Sequence, residues 1–119
     1  MENERMYQEV RVESNWITVV LAGDVFAAEA KVLHQSLSGY ITSGHTRIAL
    51  DLSSVTFIDG SGLGVLVSIH KQVRNVGGYL QIVGLQGEVK ELFRLTELDK
   101  LLQIASNQDP IEKLQHKMK

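Results

Sequence analysis

From Trp16 to Ile104 the chain alternates between two hydrophobic rhythms, and that alternation limits it to a sheet with helices laid against it. Two β-prone runs come first. One lies around Tyr7 to Glu13, and a stronger one is Trp16-Ile17-Thr18-Val19-Val20-Leu21; Ser14-Asn15 between them reads as a hairpin turn. Gly23-Asp24 is expected to break the second strand. Apolar residues then recur at Phe26, Ala30, Leu33, Leu37 and Ile41, one face of a helix closed by Gly44. Arg47 to Leu52 is a short β-prone run, followed by a polar, mixed stretch from Ser53 to Gly60. A second helical pattern places Leu63, Leu66, Ile69, Val73 and Val76 on one side, and Gly77-Gly78 stops it. Tyr79 to Val83 is the next strand, Glu88 to Leu95 an amphipathic segment, and Leu101 to Ile104 a last short strand. In the tail a helix is expected, since Asp109 can cap it, Pro110 suits its first position and Glu112 would complete a capping box. Ile111, Leu114 and Met118 give that segment an apolar side.

Parallel strands need crossover connections, so two adjacent strands followed by alternating helices and strands imply an α/β fold: a mixed β-sheet of four to five strands covered by about four helices. With 119 residues, 44% hydrophobic, 22% charged and a single proline, residues 1–119 are expected to form one domain without linker, repeat or low-complexity segment.

Composition excludes several classes of function. There is no cysteine, hence no disulfide and no thiolate metal site. Fourteen acidic and twelve basic residues are scattered along the chain with a net charge of −2, giving no basic stripe for a phosphate backbone, so no nucleic acid is expected. Lys113, Lys117 and Lys119 are too sparse for a membrane surface. The polar start Met1-Glu2-Asn3-Glu4-Arg5 and apolar runs as short as Ile17 to Ala22 give neither a signal segment nor a membrane span; the expected location is the cytoplasm.

The most unusual stretch is Phe57-Ile58-Asp59-Gly60-Ser61-Gly62-Leu63-Gly64-Val65, where three glycines alternate with other residues at an expected helix start. Each glycine inside a helix costs about 1 kcal/mol relative to alanine, so something other than helicity is served. Alternating glycines let a backbone pass close to another surface. A helix N-terminus also presents unpaired N–H groups and the positive end of the dipole, which favours an anion.

Three phosphate or nucleophile motifs fail here. A P-loop needs a lysine after its last glycine, and Gly64 is followed by Val65. A dinucleotide fingerprint counted from Gly60 needs glycine where Val65 stands, and the preceding strand is expected to end several residues too early. A nucleophile elbow would need glycines at the positions of Asp59 and Leu63. What remains is a serine at the mouth of a helix, beside an aspartate and flanked by glycines; either Asp59 or Ser61 could simply cap the helix.

The block resembles the signature of bacterial anti-sigma factor antagonists, whose STAS domain carries Asp-Ser-Ser-Gly-Leu-Gly at the start of a helix. Asp59 matches the motif aspartate, Gly60 replaces the first serine, Ser61 matches the phosphorylated serine, and Gly62-Leu63-Gly64 match the rest. The resemblance covers nearly the whole chain, from Leu21-Ala22-Gly23 through Leu50-Asp51-Leu52 to Gly77-Gly78. It implies partner contact through Asp24, Asp59, Gly60, Ser61, Gly62 and Leu63. It also implies docking of the unmodified protein on an anti-sigma factor that is a serine kinase, release on phosphorylation of Ser61, and resetting by a serine phosphatase. No cofactor and no catalysis by the chain itself are implied. Two positions depart from the family pattern: Phe26 stands where a second acid is usual after Gly23-Asp24, and Gly60 leaves Ser61 as the motif's sole hydroxyl. Ser53, Ser54 and Thr56 are nearby alternative acceptors. The alternative roles for such a domain are a non-catalytic structural subunit or a ligand-sensing module of a larger complex.

The other candidates are plainer. His34, His45, His70 and His116 are scattered, and Asp51 and Asp59 lack an obvious histidine companion, so no metal site is expected. Glu88 to Arg94 mixes charges at helical spacing, as a solvated helix face does. Trp16 is assigned to the core or the sheet surface.

Overall fold

The Ser14-Asn15 pair turns the chain back on itself, with Ser14 at φ 57°, between β1 (Met6–Glu13) and β2 (Trp16–Val25). The two strands pair antiparallel from Glu13 opposite Trp16 to Met6 opposite Gly23. In this computed structural model residues 5–105 are described. The chain continues through α1 (Ala27–Thr42), β3 (Arg47–Ile58), α2 (Gly60–Asn75) and β4 (Tyr79–Val83). It then forms α3 (Gly87–Leu95), α4 (Leu98–Leu101) and β5 (Gln103–Ile104). Among the described residues the result is a mixed α/β fold of five strands and four helices, with the sheet in the order β1-β2-β3-β4-β5. Every pair after the first is parallel, as the intervening helices require.

The helices bury the stripes read from the sequence. Leu33 and Leu37 of α1, Leu66, Ile69 and Val73 of α2, and Phe93 of α3 are almost fully buried over Val19, Leu21, Ile48, Leu50, Leu80 and Ile82. Each such side chain contributes about 1.5–3 kcal/mol relative to leaving it in water. Phe26 precedes α1, and Val76 lies just past α2 and is exposed.

Two strands are longer than expected. Gly23-Asp24 does not end β2: the strand runs on to Val25, and Gly23 takes φ +98° at a register shift against β3. A Cβ there would lie 2.0 Å from the Arg5 carbonyl oxygen, so the incoming chain crosses where only glycine fits. The polar stretch Ser53 to Ile58 is strand as well. β4 pairs only with Arg47 to Asp51, so the second half of β3 has a partner strand on one side alone and tolerates Ser53, Ser54 and Thr56. The separation assumed between strand and glycine-rich helix start is therefore absent, and that objection to a dinucleotide fingerprint falls; the glycine spacing still excludes it. Leu101 belongs to α4, which the sequence pattern did not suggest, and the last strand is reduced to Gln103–Ile104. The helix expected around Asp109 to Met118 lies outside the described residues.

Candidate functional site

Two parallel strands deliver their ends to one place. Val25 at the end of β2 is opposite Ile58 at the end of β3, and the Asp59 N–H donates to the Val25 carbonyl at 3.2 Å. Asp59 is then the N-cap of α2 in extended conformation, and its Oδ1 accepts from the N–H groups of Ser61 at 3.0 Å and Gly62 at 3.2 Å. The helix proper starts with Leu63 N–H donating to the Asp59 carbonyl at 3.0 Å. Of the two capping candidates, Asp59 is thus the cap, while Ser61 lies exposed. The carboxylate already occupies two of the first-turn donors that would otherwise attract an anion.

The three glycines have different causes. Gly62 is buried: a Cβ there would lie 2.5 Å from Cγ1 of Ile58 and 3.0 Å from Cγ1 of Val25, so its absence lets the helix start seat directly on the strand ends. Gly60 and Gly64 meet nothing within 4 Å and lie exposed. Close approach inside the protein therefore explains one glycine of the three. The other two leave bare backbone on either side of Ser61. Leu63, 7% exposed, points into the core beneath them.

Asp24 comes to the same rim from β2. Its N–H donates to the Arg5 carbonyl at 2.6 Å and its Oδ1 accepts from the Thr56 hydroxyl at 2.6 Å, which ties the tips of β2 and β3 side chain to side chain. Thr56, one of the alternative acceptors, thus has its hydroxyl engaged, and Ser53 and Ser54 lie exposed on β3. The structure adds residues that sequence reasoning missed. The Phe26 ring lies 5.1 Å from the ring of Phe57, with the Arg5 guanidinium 5.3 Å from the Phe26 centroid. The aromatic that replaces the family's second acid therefore makes an apolar shoulder beside Asp24.

Between this corner and α3 lies a cavity of about 460 Å³, walled by Phe57, Ile58, Leu63, Val89 and Leu92, with Asp59 and Glu88 at its polar edge. The charges of α3 beyond it are solvated as expected: Arg94 pairs with Glu91 on the exposed side, which lowers the glutamate's pKa and raises the arginine's through their hydrogen bonds. Of the histidines, His34 meets the Ser68 hydroxyl at 3.2 Å and His70 sits on α2, where burial and then Arg74 lower its pKa. His116 lies outside the described residues, among which no three histidines or carboxylates are grouped as a metal would require. No helix there is long and apolar enough to cross a membrane.

Comparison with known proteins gives consistent matches. The sequence model of the STAS domain matches residues 7–110. The anti-sigma-B factor antagonist of Bacillus subtilis is 30% identical over 101 residues, covering 85% of this chain and 92% of that protein. The crystal structure of an anti-sigma factor antagonist from Mycobacterium paratuberculosis superposes with a TM-score of 0.81 at 19% identity, covering 96% of this chain and 95% of that one. The Bacillus cell fate determinant SpoIIAA in its phosphorylated form superposes with a TM-score of 0.71 at 16% identity, over 91% of this chain and 99% of that one.

Proposed function

The chain belongs to the STAS domain family, with the fold of its anti-sigma factor antagonists, and from that premise we propose that it is a non-catalytic partner switch controlled by phosphorylation of Ser61. The observation that carries this reading is the mouth of α2: an exposed serine whose own N–H is held by the Asp59 carboxylate, between two glycines that face open space. A kinase needs to surround such a hydroxyl, and bare backbone on both sides permits it. The contact surface for the partner is Asp24, Asp59, Gly60 and Ser61, with Gly62 and Leu63 beneath them setting its shape. The partner is an anti-sigma factor that is also a serine kinase, a serine phosphatase resets the state, and the exchange takes place in the cytoplasm.

The physics of the switch is electrostatic. A phosphate adds a charge of roughly −1.5 to −2. It would stand beside a carboxylate that already satisfies the Ser61 and Gly62 amides, so α2 has little left to offer it. Like charges brought together in an interface cost several kcal/mol, and about 1.4 kcal/mol is tenfold in affinity, so one phosphate weakens docking by a few orders of magnitude. The fold needs no rearrangement for this: backbone amide shifts are expected to change only around residues 58–64.

The deciding experiment incubates the protein and its Ser61→Ala variant with anti-sigma serine kinases from the same source and ATP, followed by intact mass. One phosphoryl group on the wild type and none on the variant is the expected result. Modification of both moves the acceptor to Ser53, Ser54 or Thr56. Modification of neither with a full set of kinases overturns the reading in favour of a structural or ligand-sensing subunit.

A further inference from the structure

The two edge strands of the sheet are unlike. β5 has two residues, whereas β1 pairs with β2 through all eight of its residues without a register shift. Among the described residues no strand pairs with the outer side of β1. Tyr7 is 62% exposed, Val10 39% and Val12 67%. Edge strands are commonly protected by proline, lysine, a bulge or shortness, and Met6–Glu13 has none of these. Across a two-residue turn the flanking residues, here Glu13 and Trp16, exchange hydrogen bonds, and along an antiparallel ladder bonded and non-bonded pairs alternate. Glu13, Arg11, Glu9 and Tyr7 therefore direct their backbone groups to β2, while Val12, Val10 and Gln8 direct theirs outward.

We propose that this edge pairs with β1 of a second copy, antiparallel, about a two-fold axis at Val10. The charges select that register. Glu9 then stands opposite Arg11 of the second copy and Arg11 opposite its Glu9, both at non-bonded positions, where facing side chains come closest. Within one chain the same two residues already meet at 3.2 Å, exposed. The other side of the strand faces α1, since Gln8 Nε2 donates to Ser36 Oγ at 3.3 Å. On that side Val10 meets Val10 and Val12 meets Gln8, which covers both exposed valines and supplies about six backbone hydrogen bonds. Neighbouring registers conflict. An axis at Glu9 or at Arg11 sets that charge against itself, one at Gln8 sets Arg11 against Arg5, and one at Val12 runs Glu9 into the turn at Asn15. Because the axis relates the same edge in both molecules, association closes at the dimer. It also reverses the strands, so the two Ser61 corners come out at opposite ends of the joined sheet, each set back from the seam by β1 and β2.

Sedimentation equilibrium of the full-length protein across a hundredfold range of concentration is expected to show a monomer–dimer equilibrium. Arg11→Glu sets like charges opposite each other at both positions and should raise the dissociation constant about tenfold, with the fold intact, because an exposed Glu9–Arg11 pair adds little to stability. The double exchange Glu9→Arg with Arg11→Glu makes the facing charges opposite again and should bring the constant back to near the wild-type value. A wild type that stays monomeric throughout would overturn the proposal, leaving the edge to a strand of another protein. So would a dimer indifferent to Arg11→Glu, or a double exchange as weak as the single variant. Should Arg11→Glu unfold, hydrogen exchange on the wild type decides. Amides of Gln8, Val10 and Val12 that exchange freely when dilute and become protected when concentrated support the pairing, and rates there that ignore concentration remove it.

Discussion

α1 and α2 are helices of equal length that begin in equivalent places, each one residue after a long strand, yet their first turns are made of opposite material. α1 opens with Ala27-Ala28-Glu29, and Glu29 reaches back to accept the Phe26 N–H at 3.1 Å. α2 opens with Gly60-Ser61-Gly62, and Asp59 reaches forward to the amides of Ser61 and Gly62. The α1 start uses strong helix formers and an aromatic shoulder. The α2 start accepts the cost of glycine in order to sit low on the strand ends and to leave Ser61 uncovered. One end of the sheet therefore carries a helix start built of strong helix formers beside one built around glycines that leaves Ser61 exposed.

The largest break in that comparison comes from filling the one glycine of the α2 start that packing requires. Gly62→Val drives side-chain carbon into Ile58 and Val25 and should lower stability by about 1–3 kcal/mol, read by chemical or thermal unfolding. Next are the two caps. Asp59→Ala should cost about 1 kcal/mol, within the usual range for losing an N-cap, and Glu29→Ala less, since Glu29 answers one amide where Asp59 answers two. Equal losses would show the two starts to be energetically alike. Gly64→Ala works in the other direction: its Cβ meets open space, so a gain of about 0.5–1 kcal/mol is expected, together with weaker partner binding if the bare backbone is a contact surface.

The smallest effect lies further along α2. Burial, then Arg74, hold the His70 pKa below its ordinary value of 6.5, so the unfolded chain takes up a proton more readily than the folded one. Its contribution is intact above that value and is lost as pH falls through the lowered folded-state pKa. A modest decline in midpoint temperature on acidification below about pH 6.5, reduced in His70→Gln, would confirm that the sensitivity belongs to the helix body and not to its mouth.

Much of this was legible in the sequence because burial on one side enforces period. The stripes Ala30, Leu33, Leu37, Ile41 and Leu63, Leu66, Ile69, Val73 face the sheet, and β4 has the bounds that Tyr79 to Val83 suggested. The strand ends were not legible. Where β3 outruns β4 its residues are no longer enclosed on both edges, so Ser53, Ser54 and Thr56 carry no strand-like hydrophobic signal. At Gly23 a residue that ordinarily punctuates was serving a bulge. The placement of a serine beside an aspartate at a helix mouth was legible, because that depends on local chemistry. The Phe26–Phe57 contact and the tie from Thr56 to Asp24 were invisible, because they join residues that are neighbours only once β2 and β3 are in register.

The unequal strands have a last consequence. β3 has twelve residues and β4 five, so the sheet is stepped, and Ser61 stands at the end of the overhang. A kinase must bring its own cleft and close it around the hydroxyl it modifies. Under the phosphorylation proposed above, a serine at the bottom of a hollow would be out of reach of such a jaw, whereas Ser61 lies exposed past the end of the longest strand.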